Sequence, residues 1–461
     1  MTFPRFCRSV VSLLALGIAA CSSSGVPTTA PAVQPKPDTT PPAIQREMRG
    51  LWIATVANID WPSRSGLTAD QQKTELVDIL DRASAAGLNA VMFHIRPASD
   101  ALYNSPNEPW ASMLTGTQGR DPGYDPLAFA VTEAHARGLE IHAWINPFRA
   151  GNSKDTANLA STHVFNTSRN LARVYGAQLW LDPGEPAVHD HVMRVVSDIV
   201  KRYDIDGVHA DDYFYPYQES DAAGKLIDFP DSASYARSGS ALARADWRRE
   251  NVDRFVERLY REVHAIKPAI KVGLSPFGIW RPGFPAGVNG LDAYATLYAD
   301  SRKWLQQGWV DYLAPQLYWA IGAPQQSYPA LLDWWLAQDA LGRHVWPGLA
   351  TYRVADGTAS AFSTAEIPNQ VAMTRTRAAG TGHILYNTST TLKKSNGAVA
   401  TSLSALYATP ALVPASPWLD STPPPTPLVG VSGRTVQMTP ASGEVPRWWV
   451  VRWRTSTGWS T

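Results

Sequence analysis

Apolar residues along the chain recur with two periods that take turns. In short runs they alternate with other residue types, as on a strand, and between these runs they return every three or four positions, as on a helix face. The alternating runs fall at 49–55, 88–96, 140–146, from Gly207, and at 271–276, 312–318, 344–352 and 383–387. Helical patterns fill 68–86, 126–137, 187–203, 241–267, 291–307, 331–340 and 365–378. The first of these opens on Thr68-Ala69-Asp70-Gln71, a capping box. An insertion at 150–182 is predicted to hold a hairpin over 171–181. Strands that alternate with helical connections in this way predict an α/β protein, a closed (β/α)8 TIM barrel.

The alternation also assigns faces. In the second strand Val91, Phe93 and Ile95 form the helix-facing side and leave Met92, His94 and Arg96 inward. In the third, Ile141, Ala143 and Ile145 leave His142, Trp144 and Asn146 inward; the fourth leaves His209 and Asp211. The last inward residue of strand after strand is polar or aromatic: Arg96, Asn146, Asp211, Ser275, Gln316 and Tyr318. Branched aliphatics fill an ordinary barrel interior, so a polar ring at the C-terminal strand ends points to a site.

Sequence at both ends lies outside the barrel pattern. Arg5 and Arg8 precede an apolar run that ends at Cys21, which reads as a signal segment over 1–20. Ile18-Ala19-Ala20-Cys21 is similar to a bacterial lipobox, with Cys21 as the lipidated residue. Ser22 after it points to an outer membrane, with the protein facing the periplasm. Residues 21–45 form a Pro/Ser/Thr-rich spacer, 46–410 the barrel, 411–428 a second Pro-rich linker, and 429–461 a β-rich module too short for a whole fibronectin type III sandwich.

Composition narrows the function. A net charge of +1 with scattered acids and bases offers no basic face for nucleic acid. The 18 tryptophans and 17 tyrosines fill core, and those beside polar residues at strand ends are suited to stacking on sugars. His94, His142 and His209 point inward at different depths with no ligand-spaced motif, so no metal is expected. No cofactor is expected either, because no glycine-rich phosphate cradle follows a strand.

Arg49-Gly50-Leu51-Trp52, Phe93-His94-Ile95-Arg96-Pro97, Glu108-Pro109-Trp110, Pro122 to Leu127, Trp144-Ile145-Asn146-Pro147-Phe148-Arg149, Asp206 to Pro216, Ser275-Pro276-Phe277-Gly278 and Pro315-Gln316-Leu317-Tyr318-Trp319 carry a resemblance. Together, over about 45–420, they resemble the glycosyl hydrolase-like 10 family of bacterial lipoproteins. The resemblance implies a glycoside hydrolase on a (β/α)8 barrel. For a divisome-localised member the substrate is peptidoglycan glycan stripped of stem peptides by amidases, which implies a link to amidases and the division machinery. Other members act on other polysaccharides, and a barrel without its acid would be a glycan-binding lipoprotein.

Glycosidic cleavage commonly uses two carboxyls, roughly 5 to 5.5 Å apart for retention. Asp211 is the first, as nucleophile or base. Asp212 joins it only if the chain turns after the strand. Glu108, between Asn107 and Pro109-Trp110, is the candidate proton donor, with Asp100 on the same loop as the alternative. A substrate-assisted route, in which a 2-acetamido group attacks and Asp211-Asp212 serve as the pair, stands beside this one. His94, Arg96, Asp100, Trp144, Asn146, His209, Tyr213, Ser275, Gln316 and Tyr318 are expected to bind the sugar, with Trp52, Trp144, Trp280 and Trp319 as stacking faces.

Overall fold

The computed structural model describes residues 40–377, 382–441, 446–456 and 458–460. The expected signal segment, Cys21 and most of the 21–45 spacer lie outside the described residues. The unit from Ala43 onward contains every element below.

Parallel strands β1 (Met48–Ile53), β2 (Ala90–Arg96), β3 (Glu140–Ile145), β4 (Gly207–Ala210), β5 (Lys271–Leu274) and β6 (Tyr312–Leu313) pair in sequence order. β7 comes in two pieces, His344–Val345 and Gly348–Ala350, separated by Trp346-Pro347, where proline has no N–H to give the ladder. The first piece pairs with β6 and the second with β8 (Gly382–Tyr386), which returns to β1. Trp346 N donates to Leu313 O at 2.8 Å and Ile384 N to Pro347 O at 3.0 Å, so hydrogen bonds continue through the break. The sheet therefore closes, and none of these eight strands has a free edge.

The two faces separate as the alternation predicts. Leu51, Val91, Phe93, Ile141, Val208, Val272 and Leu385 pack outward against the helices. Met48, Trp52, Met92, Trp144, Tyr312, Trp346 and Ile384 fill the interior. Gly207 and Gly273 make room for this filling. A Cβ on Gly273 would lie 1.9 Å from the Tyr312 ring, and one on Gly207 2.4 Å from His142 Nδ1.

Helix ends follow local chemistry. Thr68 and Gln71 form the reciprocal capping box of helix Ala69–Ala85, and Asp125 caps Pro126–Ala136. The helix expected over 291–307 is two short helices, Ala293–Thr296 and Ser301–Gln306, because Asp292 and Asp300 each cap a new start. The hairpin expected over 171–181 is present as Ala172–Tyr175 and Gln178–Leu181, joined by Arg149–Gly151 as a third strand.

The segment after 410 packs before it extends. Glu47 N donates to Leu412 O at 2.8 Å, and Trp418 Nε1 donates to Asp311 Oδ1 at 2.7 Å, so residues 412–418 lie across the N-terminal end of the barrel. The β-rich tail forms two hairpins, Leu428–Ser432 with Thr435–Thr439 and Trp453–Thr455 with Gly458–Ser460. Arg447 pairs with Asp204 and Asp206 at 2.6 and 2.7 Å. Among the described residues no helix is long and apolar enough to cross a membrane.

Candidate active site

β4 ends at Ala210, and the alternation would send Asp212 to the helix side. The chain turns first, with Phe214 N donating to Asp212 O at 3.1 Å. Asp211 and Asp212 consequently border one cavity of about 200 Å³ at the C-terminal mouth of the barrel, walled by Trp52, Trp144, Tyr213, Tyr217, Tyr318 and Tyr386. Ser275 and Gln316 complete the lining.

Asp211 is held by N–H donors. Asn146 Nδ2 reaches both carboxylate oxygens at 2.6 Å, and Trp144 Nε1 donates to Oδ2 at 3.2 Å. Asn146 is itself aimed by His94, whose Nε2 lies 2.6 Å from Asn146 Oδ1 and whose ring stacks on Trp144 at 4.0 Å. Burial pushes His94 down to about 3, so it is neutral and donates from Nε2. Burial likewise pushes the Asp211 carboxyl up to about 7, opposed by the Arg149 cation and reinforced by Asp212. Asp212 is also raised by burial, against hydrogen bonds from Tyr217 and Gln316. Two desolvated carboxyls so close resist ionising together, and the pair retains a proton where exposed aspartates have none.

The floor is fixed by a hydrogen-bonded chain along the barrel axis. Trp52 Nε1 donates to His209 Nε2 at 3.0 Å, which leaves the His209 proton on Nδ1, facing Tyr312 Oη at 3.0 Å. The Tyr312 hydroxyl then donates to His142 Nδ1 at 2.8 Å, and His142 Nε2 faces Glu140 at 3.2 Å. Ser275 Oγ lies 3.0 Å from His209 Nε2. This chain engages His142 and His209, and among the described residues no group of three or more His, Cys, Asp or Glu side chains is arranged to hold a metal ion.

The expected site residues therefore divide. Trp144, Tyr213, Ser275, Gln316 and Tyr318 border the cavity with the two aspartates, Asn146 touches Asp211, and His94 and His209 lie one layer beneath. Glu108, expected as the proton donor, is elsewhere. It is fully buried in an ion pair with Arg96, 2.8 Å from Nε, and accepts from His191 Nε2 at 2.8 Å. Although burial alone would raise it, Arg96 and His191 hold this carboxyl down to about 2, and a carboxyl kept ionised has no proton to give. Arg96 is correspondingly occupied, with Nη1 donating to Pro147 O at 3.1 Å as well as to Asn146 O. Asp100 accepts from Ala98 N at 3.1 Å and Gln118 Nε2 at 3.0 Å, away from the cavity; burial pushes it up to about 6. Trp280 stacks on Trp334 at 5.9 Å and Trp319 meets Phe277 edge-on, so neither borders the cavity.

Sequence reasoning missed Tyr217, Tyr386 and Arg149. Tyr386 is the last residue of β8 and follows the same inward rule as Tyr318. Tyr217 sits beyond the end of β4, where alternation stops assigning faces, and Arg149 opens the short strand Arg149–Gly151 of the inserted sheet, past the end of β3. Arg149 lies over the Tyr213 ring at 3.9 Å and supplies the cation felt by Asp211.

The glycosyl hydrolase-like 10 family model matches residues 47–363. Glycosyl hydrolase YngK of Bacillus subtilis (strain 168) is 42% identical over 394 residues, covering 83% of this chain and 76% of that protein. Glycosyl hydrolase DigH of Escherichia coli (strain K12) is 36% identical over 374 residues, 76% of this chain and 84% of its own. The PgaB (BpsB) glycoside hydrolase domain from Bordetella bronchiseptica shares the fold, with a TM-score of 0.51 at 14% identity over 80% of this chain and 99% of that one. The family match runs through seven of the eight strands, and both relatives exceed 30% identity across most of their length. This chain therefore belongs to the glycosyl hydrolase-like 10 family and is a glycan-acting hydrolase.

Proposed function

We propose that this protein cleaves bacterial peptidoglycan glycan strands that have lost their stem peptides, with Asp211 and Asp212 as the catalytic pair and the sugar's 2-acetamido group as internal nucleophile. One observation carries the mechanism: the carboxyls lining the cavity, among the described residues, are two neighbours on a single strand end. A direct two-carboxyl displacement needs acids on opposite sides of the scissile bond. Here Glu108 and Asp100, the candidates for the far side, face away. A nucleophile carried by the substrate meets that need, and every wall sugar has one.

The donors around Asp211 place the pair's negative charge there, and Asp212 keeps the proton. Asp212 protonates the departing glycosidic oxygen while the acetamide oxygen bonds to the anomeric carbon; Asp211 accepts a hydrogen bond from the amide N–H and balances the growing charge. Water, giving its proton back to Asp212, then opens the cyclic intermediate and releases a sugar of retained configuration. Trp52, Trp144 and Tyr386 surround the ring, and the apolar faces exclude competing water. A lipid on Cys21 would tether the enzyme to the outer membrane with the spacer giving it reach into the periplasm, downstream of the amidases that strip peptides during division.

The test is to incubate full-length protein in detergent with peptide-free and peptide-bearing glycan strands and count new reducing ends by mass spectrometry. Wild type should cut the peptide-free strands, and Asp211→Asn and Asp212→Asn should each be slower by about a thousandfold or more. Binding without new ends by wild type would make the protein a glycan-binding module instead.

A further inference from the structure

A second pocket, of about 150 Å³, opens beside the catalytic cavity and has no part in the chemistry above. Its lining includes Tyr175, Tyr215, Gln218, Arg248, Thr296 and Tyr298. We infer that this pocket is a second saccharide subsite, holding a neutral sugar of the same strand whose scissile bond lies at Asp211 and Asp212, so that the enzyme cuts within strands rather than from their ends. The inference rests on the glycan-cleaving role of the first cavity.

Size and wall support it. A cavity of roughly 150 Å³ admits one six-membered ring. The two pockets share the segment 213–218: Tyr213 and Tyr217 border the catalytic cavity, and Tyr215, Pro216 and Gln218 border the second. The second pocket is lined mainly from the segments after β4 and β5, with Tyr175 from the inserted hairpin and Arg248 from a helix, and it meets the catalytic cavity at 213–218, so one polymer can lie across both.

The chemistry selects a neutral ligand. Arg248 is saturated by Asp231 at 2.7 Å, Asp228 at 2.8 Å and the Tyr298 hydroxyl at 2.6 Å. Its charge is thus already balanced, leaving hydroxyl-rich aromatic walls for a sugar. Tyr215 meets Tyr298 edge-on at 4.9 Å, and Tyr175 Oη is fixed by Ile227 O at 3.1 Å, so the walls are set before a ligand arrives. A stem peptide, with its carboxylates, has no such partner here.

The aromatic surface also continues on the other side of the acid pair. Tyr352 is 36% exposed and packs edge-on against Tyr318 and Tyr386 at 5.9 and 6.0 Å. It follows β7, across the barrel from the β4 and β5 loops. A strand engaged at both ends is cut internally.

Thr296→Trp and Gln218→Trp would fill the pocket; Gln218 is exposed, so its substitution leaves packing intact. The assay compares kcat/KM on long peptide-free strands with that on a nitrophenyl disaccharide. The ratio should fall about tenfold in both variants, the worth of one ring contact. Wild type should release internal fragments of mixed length. An unchanged ratio in folded variants, or wild-type release of single sugars from one end, overturns the subsite and leaves the cleavage role standing. Failure of wild type on both substrates overturns the cleavage role itself, and the subsite with it.

Discussion

Replacing Glu108 by Gln separates an acid catalyst from a buried structural charge. The Glu108 carboxyl is held from 4.5 down to about 2, which at roughly 1.4 kcal/mol per pH unit corresponds to about 3 kcal/mol of net attraction near neutrality. Both partners' side chains are 0% exposed, so water screens little of it, and breaking a buried pair from one side typically costs about 3 to 5 kcal/mol. Glu108→Gln leaves Arg96 charged and unmatched inside the barrel wall. With an unfolding entropy near 2.1 cal/mol/K per residue, a loss of about 3 kcal/mol lowers Tm by about 4 °C in a barrel of this size. Because the native carboxyl binds fewer protons than the unfolded one, wild type loses this stability as pH falls from about 4.5 toward 2, and the variant should lack that slope. Thermal unfolding between pH 2 and 7, followed by circular dichroism, reads both effects. Activity of the folded variant at 25 °C should fall by about tenfold or less, through Arg96 and the Asn146 carbonyl it holds. An unchanged Tm with a rate lower by about a thousandfold would refute the reasoning and restore Glu108 as the proton donor.

Three further outcomes follow from the same geometry. Since the folded Asp211-Asp212 pair holds on to a proton that the unfolded chain gives up, the stability this proton contributes is full below about pH 4 and is lost as pH rises through about 7; Asp211→Asn should flatten that decline in a pH series of melts. The same proton makes kcat/KM fall on the alkaline side of about pH 7, and a rate still rising there would contradict a protonated pair. Gly273→Ala should cost about 3 kcal/mol or more, because a Cβ 1.9 Å from the Tyr312 ring must push that ring out of the barrel, and a melt unchanged within about 1 °C would contradict the packing.

The barrel was legible because two periods are enough to specify it. Val91, Phe93 and Ile95 against Met92, His94 and Arg96 assign a face by counting, and the structure keeps that division in strand after strand. Counting fails where the backbone leaves the strand. Asp212 depends on a turn that no spacing encodes, Tyr217 reaches the cavity from a loop, and Arg149 acts on Asp211 from the short strand of the inserted sheet. Glu108 was misread for a different reason: its partners Arg96 and His191 come from a strand and from the helix Pro186–Arg202, and only the closed barrel brings them together. The neighbouring Pro109-Trp110 suggests only burial, which raises a carboxyl, and tertiary contacts supply the cations that lower it. The break of β7 at Trp346-Pro347 was likewise hidden, since the run 344–352 alternates as one strand.

The paired-aspartate mechanism is tested most directly by the configuration of the first sugar released. Proton NMR during wild-type cleavage of peptide-free strands should show the anomer of the starting linkage appearing first, with mutarotation following. Early appearance of the opposite anomer would require a water activated on the far face of the ring by a carboxyl other than Asp211 or Asp212, and would contradict the account.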